Sequence, residues 1–412
     1  MVAQINQRAL ITQAFYGNFL IYFTSDGEGR DLQNRTTWMH SLPQLSSDGS
    51  NTALELAVQA TAAAYCGIES SNAALVQDAC ALYGQALQAH ARVLRSQARE
   101  AVTVHMVSTS VMLSLFEAMQ ATTADAYRAH IHGAAKMIEA TSAGQCLGGV
   151  MCQLFFHVRT QMAFVYLTTQ KGLRIPVRKI LVETLEYRRL PTFQKLISHI
   201  ATLAEIYVNF KSGGDGEQLI DLGVYAHVKA EVEALCLEYA QTAESRSETL
   251  TLVSATTGQR SYRDAFTALC IAYFASARIL FALLAPRVAA SYPDLTDYFA
   301  SILDVAAYLR SHKIGCAYMR MATPLFLVAL HSPRGGQRGR AVGVFEEWRG
   351  GCMAGISALA LERIYSWRKG EDMFGEGGYE EVEVEEEDWF KGGKRVRVPL
   401  KRFYFEDWVA QM

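Results

Sequence analysis

The sequence predicts an all-α fold, a multi-helix domain of non-bundle type, on three observations. Between Ala79 and Thr169, apolar residues recur at helical spacing in consecutive segments with hardly a breaker among them. Each such segment carries an apolar stripe that it cannot hide alone, so helix must pack against helix. No fixed-period repeat runs along the chain, which argues against a regular solenoid.

In the first segment Leu82, Tyr83, Ala86, Leu87, His90, Val93 and Leu94 keep the i, i+3, i+4, i+7 rhythm of one helix face. Val104, Val107, Ser108, Val111, Met112, Leu115, Phe116 and Met119 repeat it in the second. Tyr127, Ile131, Ala134, Ala135 and Ile138 repeat it in the third, and a glycine-containing break then leads into Val150 to Leu167.

Before this stretch, Ala3 to Phe23 reads as an amphipathic helix. Thr24 to Asn51, rich in Gly, Ser, Asp and Asn, reads as a loop pinned by Trp38 and Leu42. Helix resumes from Leu54 to Cys66. After the stretch, Gly172, Pro176 and Pro191 punctuate a short helix within Arg174 to Leu190, followed by a helix from Phe193 to Phe210. The run from Lys211 to Gly216 is a loop. Helices follow over Leu219 to Thr242, with Ser245 to Thr249 as a candidate extension, and over Tyr262 to Leu284.

Pro286 and Pro293 bracket a break before a helix over Leu295 to His312. The apolar run Met319 to His331 contains Pro324, whose missing N–H suits a first helical turn, so a helix start near Thr323 is expected. Pro333 to Arg340 reads as a glycine- and arginine-rich loop, and Ala341 to Trp367 as a final helical region interrupted at Gly350 and Gly351.

The chain therefore divides into an N-terminal helix and polar linker (1–53), a helical domain (54–370) and a charged tail (371–412). In the tail, Glu380 to Asp388 are dominated by carboxylates and Lys394 to Lys401 by bases, with Val382 and Val384, then Val396 and Val398, alternating. This reads either as a small hairpin around Lys391, docked through Trp389, Phe403, Tyr404, Phe405 or Trp408, or as a disordered polyampholyte.

Composition narrows the function classes. Half of the residues are apolar and 19% are charged, as in a globular chain. No apolar run is expected to span a membrane, the longest, Ile271 to Ala285, being interrupted by Ser276 and Arg278. The amino terminus lacks the pattern of a secretory signal, so an intracellular protein is expected. A net charge of -2 offers no general attraction for nucleic acid, and direct nucleic-acid binding is not expected.

No motif supplies a reaction centre. The cysteines Cys66, Cys80, Cys146, Cys152, Cys236, Cys270, Cys316 and Cys352 contain no close Cys-x₂₋₄-Cys pair of the zinc-binding kind and read as scattered thiols. His130 and His132, two apart on a helix, point in different directions and make a poor metal pair. His90, His105, His157, His199, His227, His312 and His331 read as helix-surface or hydrogen-bonded core residues. Arg334, Arg338 and Arg340 sit in a run without the Lys-Ser/Thr ending of a phosphate loop and read as decoration of a solvated segment. The basic tail residues Lys391, Lys394, Arg395, Arg397, Lys401 and Arg402 are offset by adjacent carboxylates. No catalytic, cofactor-binding or metal-ligating residue is assigned, and no cofactor is implied.

The helical wording nevertheless resembles a known family. Leu82-Tyr-Gly-Gln-Ala-Leu, Val111 to Glu117 ending Leu115-Phe-Glu, and above all Ala126-Tyr-Arg-Ala-His-Ile-His-Gly-Ala-Ala resemble successive helices of the fungal-specific regulatory domain that follows the binuclear zinc-cluster reader in fungal transcription factors. Leu154-Phe-Phe-His-Val-Arg and Ala322-Thr-Pro-Leu-Phe-Leu-Val-Ala continue the likeness, which spans Leu54 to Lys369.

The resemblance implies a nuclear, transcription-regulator-like protein acting through a protein partner, a homo-oligomer or a small-molecule effector. The compact six-cysteine module of the family does not appear before Cys66. Two other readings stand beside it. One is a helical enzyme of fungal specialised metabolism on the same scaffold, with His130, His157, Glu117 and Asp125 as acids and bases without assigned roles. The other is a non-catalytic dimerisation scaffold. On either account Gly133, beside Ala134 and Ala135, offers a smooth face for a neighbouring helix, and His130 is expected to bond to a carbonyl or carboxylate.

Overall fold

The computed structural model describes residues 13–23, 38–47, 49, 51–96, 101–123, 125–141, 143–169, 180, 190–212, 222–256, 258–285 and 295–372. Helix α1 covers residues 13–23. After a 3₁₀ turn at Trp38–Ser41 come α2 (Leu42–Ser47), α3 (Thr52–Glu69), α4 (Ala73–Ser96), α5 (Val104–Gln120), α6 (Ala126–Glu139) and α7 (Gly149–Thr168). Then follow α8 (Thr192–Ser212), α9 (Leu222–Ser245), strands β1 (Thr251–Val253) and β2 (Arg260–Tyr262), α10 (Ala265–Leu283), α11 (Thr296–Ser311), α12 (Gly315–Arg320), α13 (Ala322–His331), α14 (Gly335–Arg349) and α15 (Ala354–Asp372). The fold is all-α with one small antiparallel hairpin.

Helix starts follow the local chemistry. Asn51, Thr103 and Asp264 cap α3, α5 and α10 by accepting from the backbone N–H three residues on. Pro324 stands in the first turn of α13, where a proline's missing donor costs nothing. The helices make one continuous core. α3 packs on α4 and α5, α5 on α6, α7 and α15, and α10 on α8, α11 and α13; Phe164 of α7 meets Phe326 of α13 edge-on at 6.4 Å and joins the two halves.

Burial corrects the picture of single stripes. α4 is one-sided, with Ala79, Tyr83, Ala86 and His90 inward, whereas α5 is buried from Met106 to Met119 on every face because α3, α6, α7 and α15 surround it. α10 is long and apolar enough to cross a membrane, contrary to the expectation for this region, and most of it is buried among α8, α11 and α13. At Gly355, α15 comes so close to α5 that a Cβ would overlap the Glu117 carbonyl.

Several other expectations change. Of the expected Pro333 to Arg340 loop, Pro333 and Arg334 stay outside a helix but Gly335 onward starts α14, because Ala341, Phe345 and Trp348 form a buried seam whose packing outweighs the helix penalty of the glycines. The polar stretch before α3 contains the 3₁₀ turn and α2, with Trp38 and Leu42 buried as pins. α8 runs on through Lys211 to Ser212. α9 runs past Thr242 to Ser245 and stops there, so the expected extension to Thr249 does not form; Ser247 turns into the left-handed region with φ 55°. Tyr262 belongs to β2 rather than to a helix, pairing with Thr251. The tail hairpin, the breaks at Pro286 and Pro293, and nearly all of the Arg174 to Leu190 helix lie outside the described residues.

Candidate functional site

Two polar clusters are built into the helical core, and they differ in how their hydrogen bonds are met. The first lies where α4, α5 and α6 meet. Tyr83 stacks on Phe116, ring centroids 4.1 Å apart and 8° from parallel, and its hydroxyl lies 2.9 Å from His130 Nε2. Glu117 is fully buried, its carboxylate accepting from the Thr122 N–H at 2.9 Å and the Thr122 hydroxyl at 2.5 Å. Burial and the neighbouring Glu117 carboxylate both push the Tyr83 phenol up. The Ser110 hydroxyl donates to the His130 carbonyl at 3.0 Å.

His130 therefore bonds to a phenol rather than to a carbonyl or carboxylate, because Tyr83 projects from α4 toward the face of α6 that carries it. Burial pushes His130 down to about 4, and burial with His130 alongside does the same to His90. Gly133 faces Ser110, whose Oγ would lie 3.4 Å from an added Cβ. The tight helix approaches are those at Gly355, at Gly67, where a Cβ would meet Val76, and at Gly315, where it would strike the Tyr22 ring.

The second cluster gathers α6, α7, α10, the end of α12 and the 3₁₀ turn. His157 and Gln161 are one helical turn apart on α7, and both are buried. Trp38 meets the His157 ring edge-on at 5.7 Å. The Tyr127 hydroxyl donates to Gln161 Oε1 at 2.8 Å, and the Tyr273 hydroxyl donates to the Arg320 carbonyl at 2.8 Å. The charge of Arg320 bears on both His157 and Tyr273.

Here several polar atoms have no hydrogen-bond partner among the described residues: His157 Nδ1 and Nε2, Gln161 Nε2 and Arg320 Nε. Desolvation, with Arg320 adding to it, pushes His157 down to about 3, so the ring is neutral in the physiological range. A buried polar group left unmet costs roughly 1–3 kcal/mol. His157 thus does not fit a hydrogen-bonded core reading, and Gln161 meets only half of its amide, through Tyr127.

The remaining candidates take structural positions. Asp125 is exposed and pairs with Arg128 at 2.6 Å. His331 bonds to the Tyr207 hydroxyl at 2.9 Å, and His312 Nδ1 lies 2.8 Å from the Tyr308 carbonyl at the end of its own helix. His199 is pushed down to about 4, chiefly by burial, and His132 likewise. Arg338 donates to the Ser332 carbonyl at 2.6 Å and steadies the first turn of α14. Among the described residues, no group of three or more His, Cys, Asp or Glu side chains is placed to hold a metal ion.

The structure thus brings Glu117 and His130 together around Tyr83, and places His157 in the other cluster. Arg320 and Gln161 were missed in the sequence. Their signal was a lone cation in the apolar run from Ile314 to Ala329, and a polar residue one turn after His157 in an otherwise apolar helix. Comparisons with protein-family models, with curated proteins and with solved structures find no match for this chain.

Proposed function

We propose that this chain is a transcription-regulator-like helical protein that responds to a small effector bound at the His157, Gln161 and Arg320 cluster. The observation that carries the reading is the set of unmet polar atoms in the middle of a packed helical core. Selection for stability alone removes such groups, so their presence supports a role in binding. The wording shared with the fungal regulatory domain supports the regulator part, and action in the nucleus goes with it. No close cysteine pair of the kind that holds a zinc cluster occurs in the 412 residues, so these residues act through an effector or a protein contact rather than by reading DNA.

Catalysis at the same place is the weaker reading. A general base works best with a pKa near the working pH, and His157 is held at about 3, far too low to take a proton efficiently. A neutral imidazole there is better suited to holding a ligand.

A tethering assay tests the regulator reading. Fused to a heterologous DNA-binding module, the full chain is expected to change transcription of a reporter carrying the module's site. Output equal to that of the module alone would overturn the reading. Binding of the purified chain to DNA across a salt series gives a second check: sequence-selective binding would contradict the proposed mode of action.

A further inference from the structure

Resting on the effector reading, we infer that the ligand of this cluster is a small monocarboxylate, held side-on by Arg320 and hydrogen-bonded by Gln161 and His157. Charge is the first argument. Arg128, Arg263, Arg310 and Arg349 each have a carboxylate partner. The Arg320 guanidinium has neither an ion pair nor a hydrogen bond among the described residues, and its Nε is sealed from solvent. Such a group favours an anion that can meet its planar fork, as a carboxylate does with two parallel bonds. The side chain as a whole is only partly buried, which leaves an approach from solvent at its end of the cluster.

Orientation of the donors is the second argument. The Tyr127 hydroxyl donates to Gln161 Oε1, and in that arrangement the amide's Nε2 is the donor left over. The Tyr273 hydroxyl anchors the Arg320 backbone in the same way. Neutral His157 contributes one N–H and one acceptor nitrogen, so it can serve a carboxylate oxygen or a hydroxyl on the ligand. Trp38, Tyr127 and Tyr273 around it are 2%, 2% and 1% exposed, which keeps the ligand small.

Valence is the third. One guanidinium balances one negative charge, while a dianion would bring an uncompensated charge into the core. The site is therefore expected to prefer a carboxylate over inorganic phosphate, and to ignore a neutral amide of the same shape.

The test uses the full chain in thermal-shift and calorimetric titrations at constant ionic strength. Probes are acetate, lactate and benzoate, with inorganic phosphate and benzamide as controls and chloride as the balancing salt. At least one monocarboxylate is expected to raise the midpoint saturably, without a comparable effect of phosphate or benzamide. Arg320→Met abolishes the response, and Arg320→Lys, which keeps the charge but loses the fork, weakens affinity about tenfold. Should Arg320→Met fail to fold, Arg320→Lys carries the test.

No response to any carboxylate, an equal response to phosphate, or a response unchanged in the folded Arg320 variants would each overturn the inference. The tethered reporter separates this from the regulator reading. A reporter that still responds to the chain, in a protein that binds no carboxylate, removes the ligand and leaves the regulator.

Discussion

His130 and His157 are both imidazoles set into helices of one core, and burial pushes both well below the ordinary histidine value. His130 has a phenol at 2.9 Å, a serine hydroxyl on its own carbonyl and, across Tyr83, a carboxylate whose oxygens are occupied by Thr122. His157 has an aromatic edge and a cation beside it, and neither ring nitrogen is met among the described residues. Around His130 the helices are tied together by paired polar groups, with His90 Nδ1 alongside as an atom that has no partner among the described residues. Around His157 the core gives up stability, and the difference teaches that burial and a shifted pKa alone do not mark a functional histidine. The state of its partners does.

The largest expected effect lies at the contact that seats α15 on α5 beside the His130 cluster. Gly355→Val drives a side chain into the Glu117 backbone and is expected to cost about 3 kcal/mol or more, the upper end of overpacking. Chemical denaturation measures it. An unchanged midpoint would show that the α5–α15 approach is looser than described.

Next comes the pH dependence of the unmet cluster. The unfolded His157 titrates near 6.5 and the folded one near 3, so between these values the unfolded chain binds more protons and stability falls as pH falls. For one imidazole the loss between about pH 7 and pH 5 is about 2 kcal/mol. His157→Leu is expected to lose that much less than the parent over the same interval in urea titrations. Parallel pH profiles for the two proteins would contradict a neutral, buried His157.

Smaller is Tyr83→Phe, which removes the hydroxyl between α4 and α6 while keeping the stack on Phe116. A loss of about 1 kcal/mol is expected, the usual net worth of one buried hydrogen bond. Gly133→Ala closes the series. Its Cβ meets the Ser110 hydroxyl at 3.4 Å, close to ordinary contact, and a helical Gly-to-Ala change gains about 1 kcal/mol, so the thermal midpoint is expected to hold or rise slightly. A large fall there would place Gly133 among the tight approaches with Gly67, Gly315 and Gly355.

How much of this was legible depended on whether the signal was local. The helices from Leu54 to Thr168 follow from apolar spacing and capping residues, which act within a turn or two. The α14 start at Gly335 was not legible, since its glycines argue locally for a loop and only the seam of Ala341, Phe345 and Trp348 against the rest of the core decides otherwise. The β1–β2 hairpin had a readable signal in Thr251-Leu-Val, Gly258 and Arg260-Ser-Tyr, obscured by the strongly helical segments on both sides.

For the site, His157 was visible as a histidine in an apolar helix. Its lack of partners was not, because Trp38, Tyr127, Tyr273 and Arg320 come from parts of the chain that only the fold brings together. The same holds for His130, whose partner Tyr83 stands 47 residues away.

The most direct measurement is the thermal unfolding of His130→Leu and His157→Leu beside the parent at neutral pH. Removing His130 strips a partner from Tyr83, so its midpoint is expected to fall by an amount equivalent to about 1–3 kcal/mol. Removing His157 discards a group whose ring nitrogens have no partner among the described residues, so its midpoint is expected to stay or rise, as happens when a residue kept for binding at the expense of stability is replaced. A fall of the same size in both would contradict the account, because it would make His157 one more structural histidine of the core.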